Sequence, residues 1–280
     1  MQNRMTFGKI WRSGAQMRIG LILLLLVILC AFFAPMLEPY DPYDLGDDLK
    51  AAPCAEHLMG TDAKGRDVFS MVLEGARTSL MVGVLAALIS GLLGTLIGGA
   101  AGFCGGKTDA LISEIINIFL MLPTFFLVMI VVALFGSSMM NVMLVIGLTS
   151  WPGNARLMRV QAMSIKERTY VKSAMALGES RMSVLFRYVI PNGIFPVITN
   201  TAMGIAGAIL TEAGLSFLGL GDPNVISWGQ LVYEGRGTMT STWWVATFAG
   251  LAIIVTVLGV YLTCDGVNRV LDPKKNVARG

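Results

Sequence analysis

Charge is scarce in this sequence: of its 280 residues only 14% are Asp, Glu, Lys or Arg, and the one histidine is His57. A soluble domain this poor in charge would leave too much apolar surface against water, so a water-soluble fold is excluded. A lone histidine in a polar stretch leaves no ligand set for a metal centre of the chain's own, and His57 reads as a solvated loop residue. The four cysteines, Cys30, Cys54, Cys104 and Cys264, show no C-x-x-C spacing, so neither a disulfide framework nor a zinc site is indicated. Scattered serines with a single histidine assemble no nucleophile and base pair, which sets an intramembrane enzyme aside. Clear internal repeats and midplane polar groups on broken helices are also lacking, which argues against an ion-driven secondary transporter, the alternative class.

Apolar sequence is abundant: 55% of residues are hydrophobic and the mean hydropathy is +0.69. At about 20 apolar residues per spanning helix, six segments qualify: 19–37, 79–103, 110–135, 139–158, 194–217 and 243–264. The expected fold is therefore an all-α integral membrane protein of six transmembrane helices. Residues 1–75 would supply the N-terminus, the first helix and a polar outer loop, and residues 76–280 a core of five helices. Lys and Arg concentrate on the cytoplasmic side of membranes. With the N-terminus inside, sixteen of the 21 basic residues fall on inner segments, so both termini are expected in the cytoplasm. No small-residue cleavage site follows the 19–33 stretch, which reads as an uncleaved helix rather than a signal peptide.

Local chemistry refines this outline. Turn signals at Asp41-Pro42, Gly60-Thr61-Asp62 and Lys64-Gly65-Arg66 mark 38–74 as a folded loop. Gly91, Gly94, Gly98 and Gly102 give the second helix a small-residue face for close packing. Pro123 should kink the third helix, as a hinge or a fixed bend. Residues 156–191 are too polar to cross lipid and are expected as a cytoplasmic loop. Within it, Tyr170 to Leu177 reads as a helix ended by Gly178, Ser180 as the N-cap of a second short helix through Tyr188, and Pro191 as the start of the fifth spanning helix. Two short amphipathic helices suit docking into a groove on a partner protein, or lying on anionic lipid.

Tyr170-Val171-Lys172-Ser173-Ala174-Met175-Ala176-Leu177-Gly178, followed by Pro191-Asn192, resembles the EAA loop of ABC importer permeases. Gly60-Thr61-Asp62-Ala63-Lys64-Gly65-Arg66-Asp67-Val68-Phe69-Ser70, Glu212-Ala213-Gly214-Leu215-Ser216-Phe217-Leu218-Gly219-Leu220-Gly221 and Ser227-Trp228-Gly229 are similar to signatures of the C-type subunit of dipeptide, oligopeptide and nickel importers. The resemblance covers nearly the whole chain and implies a type I ABC importer permease fold in a bacterial inner membrane. It further implies a homologous B-type permease as partner, two ATPase subunits that bind the ATP and magnesium, and an extracytoplasmic solute-binding protein. The chain itself would hold no cofactor and touch lipid, not nucleic acid. Tyr170, Lys172, Ser173, Ala174, Gly178 and Pro191 would belong to the ATPase-coupling element. The family's usual glutamate is Lys172 here, a reversal of charge. Peptides are the expected cargo, with nickel or another chelate or small solute as the alternative.

Ala101-Gly102-Phe103-Cys104-Gly105-Gly106-Lys107-Thr108 misses the phosphate-loop pattern only at its first glycine, but a membrane helix precedes it where that motif needs a strand. Glu114, Glu212 and Asp265 are acids near membrane depth, functional candidates by default, and Glu212 would line a gate or pair with a basic group. Trp228, Trp243 and Trp244 read as interfacial anchors.

Overall fold

The computed structural model describes residues 15–271, and the terminal stretches expected on the cytoplasmic side lie outside the described residues. The chain is helical: α1 (Ala15–Leu37), α2 (Val68–Cys104), α3 (Gly106–Met121), α4 (Thr124–Phe135), α5 (Met139–Lys166), α6 (Thr169–Ala176), α7 (Arg181–Val184), a π-helical turn (Leu185–Val189), α8 (Ile190–Gly193), α9 (Phe195–Phe217), α10 (Trp228–Arg236) and α11 (Trp243–Leu271). Among the described residues, extended pairing is limited to an isolated Thr61–Asp67 bridge.

Three helices, α1, α2 and α11, are long and apolar enough to cross a membrane, and the number rises to five if two bent pairs each count as one span. The fourth expected span lies on α5, which is not among them and which carries Asn154, Arg156 and Arg159. The expected third helix is not kinked but broken. Pro123 and Leu122 are both extended, because proline pushes its predecessor out of the helical region, and α3 meets α4 at 83°. Pro191 does not open the fifth span either. It sits in the continuous helical stretch 181–193, which meets α9 at 62°. The π-helical turn just before it relaxes the i→i−4 ladder that a proline cannot join, and Asn192 Nδ2 donates to the Tyr188 carbonyl at 2.6 Å.

The described residues divide into two compact units, one drawn from residues up to 83 together with those from 205 onward, and the other residues 84–204. In the first, α1 and α11 pack along their length. A Cβ at Gly20 or Gly266 would collide with Thr263 or Met17, and one at Gly259 would press on Leu24, so small residues let the helices close. The core joins Val27, Met71, Ile209, Trp228, Leu231 and Ile253. Trp228 is therefore no interfacial anchor: it is 2% exposed and its indole N–H donates to the Val72 carbonyl at 2.9 Å. Trp244 is likewise buried and donates to the Thr61 carbonyl, while Trp243 is exposed. The exposed leucines, isoleucines and phenylalanines along α1 are what lipid solvation of that helix requires.

In the second unit the expected glycine face is present. A Cβ at Gly98 would run into the Ala155 carbonyl oxygen, one at Gly102 into that of Arg159, and one at Gly94 into Asn154. Backbone thus lies on backbone where α2 crosses α5. The phosphate-loop look-alike is the turn between α2 and α3, with Gly105 and Gly106 at φ 68° and 57°, a helix–turn–helix with no preceding strand. Gly98→Ala should destabilise the purified protein by about 1–3 kcal/mol, because a carbonyl cannot move aside as a side-chain end can. Gly250→Ala, where an added Cβ meets nothing within 4 Å, should not lower the melting temperature in detergent.

Candidate functional site

Two polar assemblies stand out. The first is the segment from Lys166 to Gly193. Alternation of burial shows how α6 is seated: Val171 and Ala174 are buried with Phe103, Met158, Ile165, Val184 and Val189, while Tyr170, Lys172, Ser173, Met175 and Leu177 are exposed, Leu177 at 86%. The helix ends in a Schellman motif. Glu179 N–H donates to the Ala174 carbonyl and Gly178 N–H to that of Met175, and Gly178 takes φ +90°, the left-handed conformation that favours glycine. A Cβ at Gly178 would meet nothing within 4 Å, so the constraint there is conformational and not spatial.

Glu179, which motif reading passed over, locks the next turn. Its two oxygens accept from Tyr188 Oη at 2.8 Å and Ser183 Oγ at 3.0 Å. Ser180 caps α7 as expected, accepting from Ser183 N–H. Lys172 is answered within the chain: its ammonium lies 2.9 Å from Glu167, and that hydrogen bond holds the Glu167 carboxyl below its ordinary pKa. Of the six residues expected in the coupling element, Tyr170, Lys172, Ser173 and Gly178 share one exposed end of the segment, Ala174 faces the chain's own core, and Pro191 is exposed on the stretch leading to α9.

The second assembly joins residues 38–67 to α10, a helix that no sequence signal separated from its loop. Asp62 Oδ1 accepts from the Lys64 and Arg66 amides at 2.8 and 2.9 Å, which folds the turn that Gly65, at φ +79°, completes. The Arg66 guanidinium, 10% exposed, then bridges Asp62 at 2.7 Å and Glu234 of α10, and Lys64 adds a second cation to Glu234 at 3.4 Å. Asp67 caps α2, accepting from Ser70 N–H and Oγ at 2.8 Å as N-cap carboxylates do. His57 is not the solvated residue expected. It is largely buried, 3.0 Å from Asp67 through Nδ1, with Tyr40 packed beside its ring.

Glu212 lies on α9 beside the N-terminus of α10 and is 2% exposed. Its Oε1 accepts from Ser216 Oγ at 2.8 Å and Ser227 Oγ at 2.7 Å. Hydroxyls, and no basic group among the described residues, are its partners. Pro123 stands at the α3–α4 break and so shapes that bend.

Residues 94–277 match the family described as binding-protein-dependent transport system inner membrane component, and residues 18–53 match the N-terminal TM domain of oligopeptide transport permease C. The di/tripeptide transport system permease protein DppC of Pseudomonas aeruginosa is 37% identical over 92% of this chain and 88% of its own. The glutathione transport system permease protein GsiD of Pectobacterium atrosepticum is 36% identical over 97% of this chain and 92% of its own. In solved structures, the MetNI methionine ABC transporter in inward-facing conformations shares the fold, with TM-score 0.51 and 18% identity over 71% of this chain and 94% of that one. The chain belongs to the inner-membrane permeases of binding-protein-dependent ABC importers, and within them to the C-type permeases of dipeptide and oligopeptide systems. It is a multi-pass inner membrane protein.

Arg66→Met would leave two mostly buried carboxylates short of a partner. Breaking a pair of this kind costs on the order of 3 kcal/mol. The deficit is measured by thermal unfolding of the purified protein in detergent, and an unchanged melting temperature would count against the bridge as a source of stability.

Proposed function

We propose that this chain carries short peptides from the extracytoplasmic side to the cytoplasm as half of a permease pair. A homologous B-type permease completes the pathway, two separate ATPases bind ATP and magnesium, and a solute-binding protein delivers the cargo. Residues 167–193 lie on the cytoplasmic side in this reading, with both termini, in accord with the basic residues that cluster there. The observation that carries it is the shape of α6. One face is anchored in the chain's own core, and the other presents Tyr170, Lys172, Ser173, Met175 and Leu177 uncovered. An amphipathic helix with both ends fixed, by α5 before it and by the Glu179 lock after it, transmits push and pull, and a helix in a groove is a common mode of docking.

ATP-driven closure of the ATPases would move this helix and switch the pathway between inward-facing and outward-facing states. Lys172 suits a partner surface that meets a neutral Lys172–Glu167 pair in place of a lone acid. The relatives named for di/tripeptide and glutathione transport favour short peptides over a nickel chelate as cargo. The chain performs no catalysis of its own in this scheme, and no cofactor is assigned to it.

Gly178→Leu forces a branched residue into the left-handed region at a cost of about 1–2 kcal/mol without any clash. Membrane insertion should be unchanged while peptide uptake into cells falls at least about tenfold, the drop expected where about 1.4 kcal/mol of coupling is lost. Wild-type uptake in that variant would sink the coupling assignment. Competition of uptake by a dipeptide and tripeptide library, set against nickel chelates, tests the cargo.

A further inference from the structure

Helix α10 is short, nine residues, and too polar to be a span, yet it is fastened at both ends by acidic side chains. At its C-terminal end Glu234 is held by Arg66 and Lys64 of the 60–67 turn. At its N-terminal end Ser227 does two things at once: its Oγ accepts from Gln230 N–H as the N-cap and donates to Glu212 Oε1 of α9. Between the two, Trp228 donates its indole N–H to Val72 and its backbone N–H to Ser79 Oγ. Contact with α9 is close. A Cβ on Gly229 would stand 2.6 Å from the Ala213 Cα and 3.1 Å from Glu212 Oε1. Arg236 reaches the Phe217 carbonyl as well, from an exposed position.

Glu212 is an unexpected residue for this place. It is buried without a cation, and its second oxygen has no hydrogen-bond partner among the described residues. An apolar side chain of the same size would fill the space without the desolvation penalty of an acid. What the acid adds is a single oxygen on which two hydroxyls from two different elements converge, and so a defined register between α9 and α10.

We propose that α10 is a strut that ties the 60–67 turn to α9, with Glu212 as the positioning residue at its inner joint. A displacement of the 38–67 segment is then carried into α9 through two polar joints, Asp62–Arg66–Glu234 at one end and Ser227–Glu212 at the other, with the backbone of α10 as the rigid link between them. In the importer reading, on which this use of the strut rests, the 38–67 segment faces the solute-binding protein, and the strut delivers the signal of its docking.

The test uses the whole importer in nanodiscs, with Glu212→Leu, which fills the space without an acceptor, and Glu212→Gln, whose carbonyl oxygen accepts from both serines. Hydrogen exchange is followed at 227–236 and at the remote amides of Lys50, Thr61 and Asp62, which are hydrogen-bonded within the 38–67 segment. The strut requires exchange at least about tenfold faster at both places in the Leu variant, matching the loss of about 1.4 kcal/mol of local stability, and near wild-type exchange in the Gln variant. Faster exchange at 227–236 alone, or no change, overturns it. If the Leu variant fails to assemble, Ser227→Gly decides on the same readout, since glycine keeps most of the capping and loses the hydroxyl. Stimulation of ATP hydrolysis by the binding protein is measured alongside. Loss of stimulation with basal hydrolysis intact supports the assigned use, and full stimulation in the Leu variant overturns it. A wild-type complex that shows no stimulation counts against the importer reading and leaves the exchange result to judge the strut.

Discussion

The contact between the backbones of α2 and α5 governs the second unit. Because residues 94, 98 and 102 have no side chains, the carbonyls of Ala155 and Arg159 come to rest where Cβ atoms would otherwise stand. In lipid there is little hydrophobic drive to bring helices together, so close approach and its dispersion gain must come from such notches. That closeness has further effects. Lys166 reaches the Gly102 carbonyl at 3.0 Å, Arg159 grips Asp109 of α3 through two hydrogen bonds, and Asn154 donates to Ser90 and accepts from Asn200. Each polar group finds its partner because the glycines set the distance. The end of α5 is thereby fixed, and α6 hangs from that end.

Polar groups in the first unit follow a different rule. There the ordering comes from a short turn dense with chemistry, in which every polar residue from Thr61 to Asp67 has a stated partner. Thr61 Oγ1 donates to the Asp48 carbonyl at 2.5 Å and accepts from Ala51 N–H at 2.7 Å, Asp62 shapes the turn, Arg66 leaves it for α10, and Asp67 starts α2. A stretch that reads as a family signature is, residue by residue, a folding instruction for the start of the longest helix in the chain.

Hydropathy made α1, α2 and α11 legible as long apolar helices; the fifth and sixth expected segments agree with α9 and α11 to within a few residues at their starts, and the glycine face was visible from spacing alone. What escaped had tertiary causes. Trp228 and Trp244 carry the composition signal of interfacial residues, but burial depends on α2 and the 60–67 turn folding over them. Pro191 looked like a helix start because its missing N–H suits one, and only the π-helical turn before it explains a proline inside a helical stretch. Pro123 broke its helix outright because Leu122 could not stay helical before it. Helix α10 was hidden because its nine residues average out as neither apolar nor charged. Lys172 could be recognised as a departure, but its partner Glu167 lies across a helix boundary that spacing rules do not bridge.

The left-handed backbone at residue 178 also narrows the routes by which this chain can change. Asparagine, the residue that best tolerates such a conformation after glycine, lies two base changes from any glycine codon. Aspartate is one change away from two of the four glycine codons and would set a second carboxylate beside Glu179, whose oxygens are already engaged with Tyr188 and Ser183. Every other single-base neighbour brings a side chain ill suited to that geometry. Open space surrounds the position, yet the genetic code and the torsion angle together hold it in place.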